Sequence, residues 1–381
     1  MMKATIAGLI VGMMTLSAMA LTVNVEREGV EKFPVSIQVS GDQTFAKSLR
    51  RNLEISGVFQ IRDNGAIRVT GATGAPIHVE GRGKVLGFNS AAADSKAARN
   101  EARALADKMI ETYGNQKGFS RDRIAFVRRE GKSAELYTCY PDSYDLRRIS
   151  NDGQEAVGPR WKNAATLFYT GFLGAGPKVY EVDAQTGAKK LKWSFKGLTT
   201  GATVSPDGTK VAIILSIHGN PELYVINMVN NSWVRLTNTK NASEGQPTWS
   251  PDGQQIAYVS DETRYPQIYV IDVATKSKRR LTSTGAQNVD PDWGNDGRIT
   301  YITKRGGQSI VAVMDPKVGD KGAVLVTKPG SWEHPSWARD CRHVVASRDD
   351  TLFIVDTVEK GDDPRQVFLN KGKWITPSWQ R

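Results

Sequence analysis

A tripeptide of the form Pro-x-Trp returns through the C-terminal two-thirds of this chain at a nearly fixed period, and nothing else in the sequence restricts the fold as strongly. It stands at Pro159-Arg160-Trp161, Pro247-Thr248-Trp249, Pro291-Asp292-Trp293, Pro335-Ser336-Trp337 and Pro377-Ser378-Trp379, and Ala202-Thr203-Val204 fills the one gap. Between the last residues of successive copies the intervals are 43, 45, 44, 44 and 42. A repeat of that length is one four-stranded blade of a β-propeller. Six anchors therefore imply six blades.

The copies align beyond their anchors. A turn follows each, as in Ser205-Pro206-Asp207-Gly208, Ser250-Pro251-Asp252-Gly253 and Gly294-Asn295-Asp296-Gly297. Proline presets the turn, aspartate caps its own backbone and glycine supplies the left-handed position. β-Rich runs come next (Val211–Leu215, Ile256–Ser260, Ile299–Thr303, Val344–Ser347), then a third set ending on a carboxylate or amide (Val179–Asp183, Leu223–Asn227, Ile268–Asp272, Ile310–Asp315, Leu352–Asp356). A fourth, more basic set covers Trp233–Asn238, Lys278–Ser283, Ala323–Lys328 and Arg365–Asn370. These read as strands A to D from the axis to the rim, where edge lysines and arginines oppose sheet-to-sheet pairing. The tryptophans read as filling between blades and the Asp-Gly pairs as turns. Asp207 and Asp252 lack the alternating carboxylates of a calcium loop.

The ends of the array explain closure. Ile124–Val127, Glu135–Tyr140 and Leu146–Ser150 supply strands B, C and D without an anchor, and Trp374–Trp379 supplies an anchor strand without followers. Joined, they make the sixth blade and remove the free edges. Upstream, Val35–Val39, Ile67–Val69 and Ile77–Val79 read as strands, residues 43–55 as a helix with Phe45, Leu49 and Leu53 on one face, and a second helix presents Ala102, Leu105, Ala106, Met109, Ile110 and Tyr113. Gly81-Arg82-Gly83 reads as a turn. The expected organisation is a leader over residues 1–20, a small α/β domain over 21–118 and a six-bladed propeller over 119–381.

Lys3, the apolar run Ala4–Leu16 and Ala18-Met19-Ala20 have the form of an export leader cleaved after Ala20, so a periplasmic location is expected. Losing Lys3 lowers the net charge from +11 by one, to +10. The basic residues are dispersed, which points to an acidic protein partner rather than nucleic acid. Cys139 and Cys341 show no metal spacing and read as free thiols. The alternating Leu21-Thr22-Val23-Asn24-Val25 could add to another protein's sheet edge.

The repeat unit Pro247–Ser283, the sixfold count, the closing strand and the segment Ser48–Ile61 together resemble the TolB family of the Tol–Pal envelope system. The resemblance is strongest over 195–310 and spans nearly the whole mature chain. It implies a non-enzymatic, monomeric adaptor without cofactors. Such a protein would bind the peptidoglycan-associated lipoprotein Pal on the propeller and a TolA-like inner-membrane protein through its mature N-terminus, here Leu21, Thr22 and Val23. It would support outer-membrane integrity and cell division. Family partner residues lie in the loops entering strand A, around the central opening. The matching residues here are Leu198, Thr199, Thr200, Gly201, Gly245 and Gln246, and the equivalent loops hold Asn288, Asp290, Glu333, His334 and Thr376. Three departures from the family pattern stand out: a short N-terminal domain, the Ala-Thr-Val anchor, and Cys341 in place of a turn glycine.

There is no G-x-S-x-G elbow, and His78, His218, His334 and His343 lack metal spacing. His334 alone borders the expected opening. No catalytic or metal residue is assigned. The alternative is a propeller lyase or hydrolase acting on an acidic polysaccharide through His334.

Overall fold

The computed structural model describes residues 31–174, 176–359, 363–369 and 372–381. The expected leader, its expected cleavage site and the Leu21–Val25 segment lie outside them.

The N-terminal unit is a five-stranded sheet with two helices on one face. In chain order it runs β1 (Phe33–Ser40), α1 (Gln43–Ile55), β2 (Phe59–Ile61), β3 (Ile67–Ala72), β4 (Pro76–Gly81), β5 (Lys84–Asn89) and α2 (Ser95–Gly114), with sheet order β2-β1-β3-β4-β5. Both helices start on an aspartate whose carboxylate accepts a first-turn N–H: Asp42 from Thr44 and Asp94 from Ala97. The stripe read from the sequence closes the core, with Phe45, Leu49, Leu53, Leu105 and Met109 buried against Val35, Ile67, Val69 and Ile77. Gly81-Arg82-Gly83 is the turn between β4 and β5, with Arg82 at φ 52°. The short β2 and the edge strand β5 were not read from the sequence.

Six four-stranded antiparallel sheets follow. Strand A is Ala156–Trp161 in blade 1, Thr199–Val204 in blade 2, Glu244–Trp249 in blade 3, Gln287–Trp293 in blade 4, Trp332–Trp337 in blade 5 and Trp374–Trp379 in blade 6. In blade 6 it pairs with Ile124–Glu130, matching Trp374 with Arg128 and Trp379 with Ile124, and Ser133–Cys139 and Arg147–Arg148 complete the sheet. The ring closes as the sequence implied.

The rim strands are shorter than expected. Strand D stops at Arg235, Arg280, Leu325 and Gln366. Beyond three of those points one backbone bond continues, from the Leu236, Leu281 and Val326 N–H groups to the Leu223, Ile268 and Val311 carbonyls, and a hydroxyl replaces the returning one: Thr237, Thr282 and Thr327 Oγ1 accept the strand C N–H groups of Leu223, Ile268 and Val311 at 2.9, 2.9 and 3.1 Å. The chain then turns inward to the next anchor.

The anchor tryptophans do pack between blades. Trp249 lies with Ala212, Ile214 and Leu223 of the preceding blade. Where the anchor is Ala202-Thr203-Val204, Trp193 of blade 1 fills the gap instead, 5.2 Å from Phe168 between ring centroids. The Asp-Gly turns are local: Asp207 accepts the Thr209 N–H and the Ser205 hydroxyl. Cys341 stands at φ 54° where other turns place glycine. Both Cys139 and Cys341 are unpaired thiols.

Antiparallel order fixes two faces. The A–B and C–D turns share one, and the B–C and D–A loops share the other. The N-terminal unit docks on the first. Arg103 of α2, fully buried, meets Asp142 of a C–D loop at 2.9 Å, and Ser48 and Asn52 of α1 also donate to that carboxylate. Arg342, in the A–B turn of blade 5, is bound by Asp356 beside Gly57.

Candidate functional site

Strand A is the innermost strand of every blade, so its N-terminal end and the D–A loop before it surround one mouth of the central channel. In all six blades strand A carries a bulge against strand B at the same place. The bulged residue stands three positions before the last anchor residue and is left-handed each time. These are Gly158 (φ 57°), Gly201 (67°), Gln246 (52°), Asp290 (55°), His334 (50°) and Thr376 (49°). Five of them precede a proline, so the following residue brings no N–H to the ladder. The bulge turns Gln246 and Asp290 toward the ring residue of the next blade.

Side chains knit part of this ring. Gln246 accepts the Asp290 N–H at 2.9 Å and donates its amide to the same carboxylate. Asp290 accepts the His334 N–H at 3.0 Å and lies 3.0 Å from His334 Nδ1. Burial works to raise the Asp290 pKa, yet the adjoining His334 holds it below the usual carboxylate value. Burial likewise opposes the His334 imidazolium, but Asp290 and Glu333 raise its pKa overall. The two form an ion pair at the mouth.

Below the ring, the middle residue of the anchor triplet performs a second job. Thr248, Asp292 and Ser336 side chains accept the N–H of Trp293, Trp337 and Trp379 in the next blade, at 3.1, 2.8 and 3.1 Å. Arg381 reaches Asp292 at 2.9 Å and the Trp293 carbonyl at 2.5 Å, with Arg160 3.9 Å from the same carboxylate. These side chains leave a cavity of about 80 Å³ lined by Arg160, Thr203, Thr248, Asp292, Ser378 and Arg381.

Of the residues selected from the sequence, Gly201, Gln246, Asp290, His334 and Thr376 fall on this ring. Thr200 lies beside it, its hydroxyl 2.9 Å from that of Thr170. Gly245 is half-buried with open space above it, and Glu333 is exposed. Leu198 packs against the blade 2–3 core and donates its N–H to Ser216. Thr199 and Asn288 are fully buried. Thr199 Oγ1 accepts the Phe195 N–H, and Asn288 clamps its own loop through Gln267 and Thr284. They support the mouth and do not line it. Sequence reading passed over Gly158, although it stands at the shared offset before Pro159. It also missed Arg160, Asp292 and Arg381, whose convergence needs the ring to be closed. Among the described residues, no three His, Cys, Asp or Glu side chains are placed to hold a metal ion.

Known proteins share this architecture. A family model described as the TolB beta propeller domain matches residues 110–381. A curated relative, the Tol-Pal system protein TolB of Desulfosudis oleivorans, is 29% identical over 129 residues, or 34% of this chain. The match spans only 29% of that relative's length. The crystal structure of TolB from Acinetobacter baumannii aligns with a TM-score of 0.81 at 21% identity, covering 93% of this chain and 98% of that one. A putative TolB from Agrobacterium tumefaciens aligns at 0.53 and 18% identity, over 66% of this chain and 91% of its own. At these identities the two structures speak for the fold alone.

Proposed function

The chain belongs to the TolB β-propeller family, and on that premise we propose that it is a non-enzymatic adaptor of a Tol–Pal-type envelope complex. In this reading the exported, periplasmic protein binds a Pal-like peptidoglycan-associated lipoprotein at the channel mouth ringed by Gly201, Gln246, Asp290, His334 and Thr376. A TolA-like inner-membrane protein engages the mature N-terminus around Leu21, Thr22 and Val23. The assembly supports outer-membrane integrity and cell division, with the adaptor acting as a monomer.

One observation carries the reading. The ring residues are the positions where the repeated framework stops repeating: the bulge and its backbone are common to six blades, while glycine stands in two of them and four different side chains in the others. A scaffold that keeps backbone geometry and varies chemistry at one mouth is arranged for recognition. The described residues of the N-terminal unit sit on the opposite face and do not cover this mouth.

The test is capture from envelope extract with the mature protein, with crosslinking, followed by the same capture with His334→Glu. Recovery of a Pal-like lipoprotein by the wild type, and its loss in a folded His334→Glu variant, is the expected result. If no such lipoprotein is recovered by the crosslinked wild type, the proposal fails.

A further inference from the structure

The hydrogen-bond ring at the mouth is closed on one side and open on the other. On blades 3 and 4 the ring side chain accepts the N–H of the ring residue in the following blade. Gln246 takes that of Asp290 at 2.9 Å, and Asp290 takes that of His334 at 3.0 Å. The same bulge and the same left-handed φ, between 49° and 67°, orient the remaining four N–H groups alike. For these the preceding ring residue brings no acceptor. Gly158 and Gly201 have no side chain to offer Gly201 and Gln246. His334 Nδ1 is held by Asp290 instead of reaching Thr376, and Thr376 Oγ1 is buried without a hydrogen-bond partner.

We propose that this open arc, from Thr376 through Gly158 and Gly201 to Gln246, is a carboxylate-binding subsite that receives an acidic side chain of the partner docked at the mouth. The inference rests on the adaptor reading for who the partner is, not for the chemistry of the arc. The precedent is internal: the Asp290 carboxylate already occupies the equivalent place on the closed side, bridging the next blade's N–H and an adjoining side chain. A partner's carboxylate does on the open side what Asp290 does on its own.

Charge and space agree. Arg160 stands two residues along strand A from Gly158 and acts electrostatically on both Asp290 and His334, so a guanidinium underlies the ring. A Cβ built on Gly158 meets no atom within 4 Å. Asp290 and Glu333 repel an acid from the closed half, which gives the partner one rotational setting on an otherwise near-sixfold ring.

Two variants of the full mature chain and a free probe test this. Gly158→Asn tolerates a left-handed backbone and supplies the missing acceptor, while Gly158→Ala adds bulk without one. Sodium acetate titrated into ¹⁵N-labelled protein is expected to shift the Gly158, Gly201 and Gln246 amide resonances of the wild type. The Gly201 shift persists in Gly158→Ala and is lost in Gly158→Asn. Affinity for the soluble domain of a Pal-like lipoprotein is expected to fall about tenfold in Gly158→Asn, the loss of one charge-assisted hydrogen bond, and about twofold or less in Gly158→Ala. The subsite is overturned if acetate leaves the arc unshifted, or if the lipoprotein binds wild type and Gly158→Asn equally. If acetate shifts the arc but no lipoprotein binds, the adaptor reading falls and the carboxylate chemistry stands.

Discussion

A side chain in the left-handed region is a strained choice that few residues other than glycine, asparagine and aspartate make readily. Gln246, Asp290, His334 and Thr376 make it at one offset in four blades. Hydrogen bonds between neighbours offset that strain for Asp290 and His334, and their ion pair makes it pH-dependent. The raised His334 pKa stabilises the fold fully below the unfolded value of about 6.5 and ceases to do so as pH climbs through the folded value. The lowered Asp290 pKa works above its unfolded value of about 3.9 and fails as pH drops through the folded one. Urea unfolding of His334→Gln against wild type is therefore expected to show its largest deficit near pH 5.5 and a smaller one near pH 9, within roughly the window these values define. Glu244 behaves oppositely. It is buried at the start of strand A with Glu222 nearby, and burial above all pushes its pKa to about 7. Folding then holds a proton that the unfolded chain releases above about pH 4.3, so Glu244 destabilises increasingly as pH rises to 7. Glu244→Gln should stabilise by roughly 1–3 kcal/mol near pH 8 and scarcely at all near pH 4. At this scale the sequence was legible wherever chemistry and position coincide, as at His334 before Pro335. Gly158 was passed over because glycine announces no chemistry. Its meaning comes from lacking the acceptor that Asp290 has.

Among the elements, the anchor strands and both helices could be read because periodic burial writes them into the sequence. The ends of the D strands could not, because Thr237, Thr282 and Thr327 substitute hydroxyl hydrogen bonds for ladder bonds without breaking the β-rich composition. β2 has three residues, and β5 includes Gly87 and faces solvent along much of its length, so neither offers a clear alternation. The irregular anchor at Ala202 has a packing cause in Trp193, supplied by a different strand of the neighbouring blade. The helix α2 held a further surprise: Arg103 sits among apolar positions and is fully buried against Asp142. Its guanidinium also stacks 3.8 Å over the Tyr140 ring. Asp145 also lies 2.9 Å from the guanidinium, so removing Asp142 takes one of its two carboxylates and leaves the buried Ser48 and Asn52 donors without their acceptor. Asp142→Ala should cost about 3–5 kcal/mol in urea unfolding, whereas Arg103→Met combined with Asp142→Leu should recover part of it, since Ser48, Asn52 and Asp145 still lose a partner. Equal losses in the single and double variants would show that the pair is not what joins the two units.

On the scale of the whole molecule, the propeller is a ring held shut by one strand and divided into two working faces. Closure depends on Trp374–Trp379 pairing with Ile124–Glu130, nearly 250 residues away in the chain. Deleting residues 372–381 should lower the melting temperature by roughly 10 °C or more, since a whole blade loses its inner strand and neighbouring cores open. An unchanged melting curve would refute this topology. The closed ring places the N-terminal unit on the face of the A–B turns and leaves the D–A mouth free on the other. Sequence periodicity implied the ring, but Arg160, Asp292 and Arg381 are distant in the chain and meet only once it has closed. Whether the D–A mouth is the recognition surface is read out by isothermal titration of a Pal-like lipoprotein domain. The comparison is between Gly245→Trp, where no atom lies within 4 Å of the added Cβ, and Gln254→Trp on the opposite face. Recognition at this mouth entails a loss on the order of 100-fold in affinity for Gly245→Trp and a change of about twofold or less for Gln254→Trp. Equal affinities for the two variants, or a loss confined to Gln254→Trp, would contradict it.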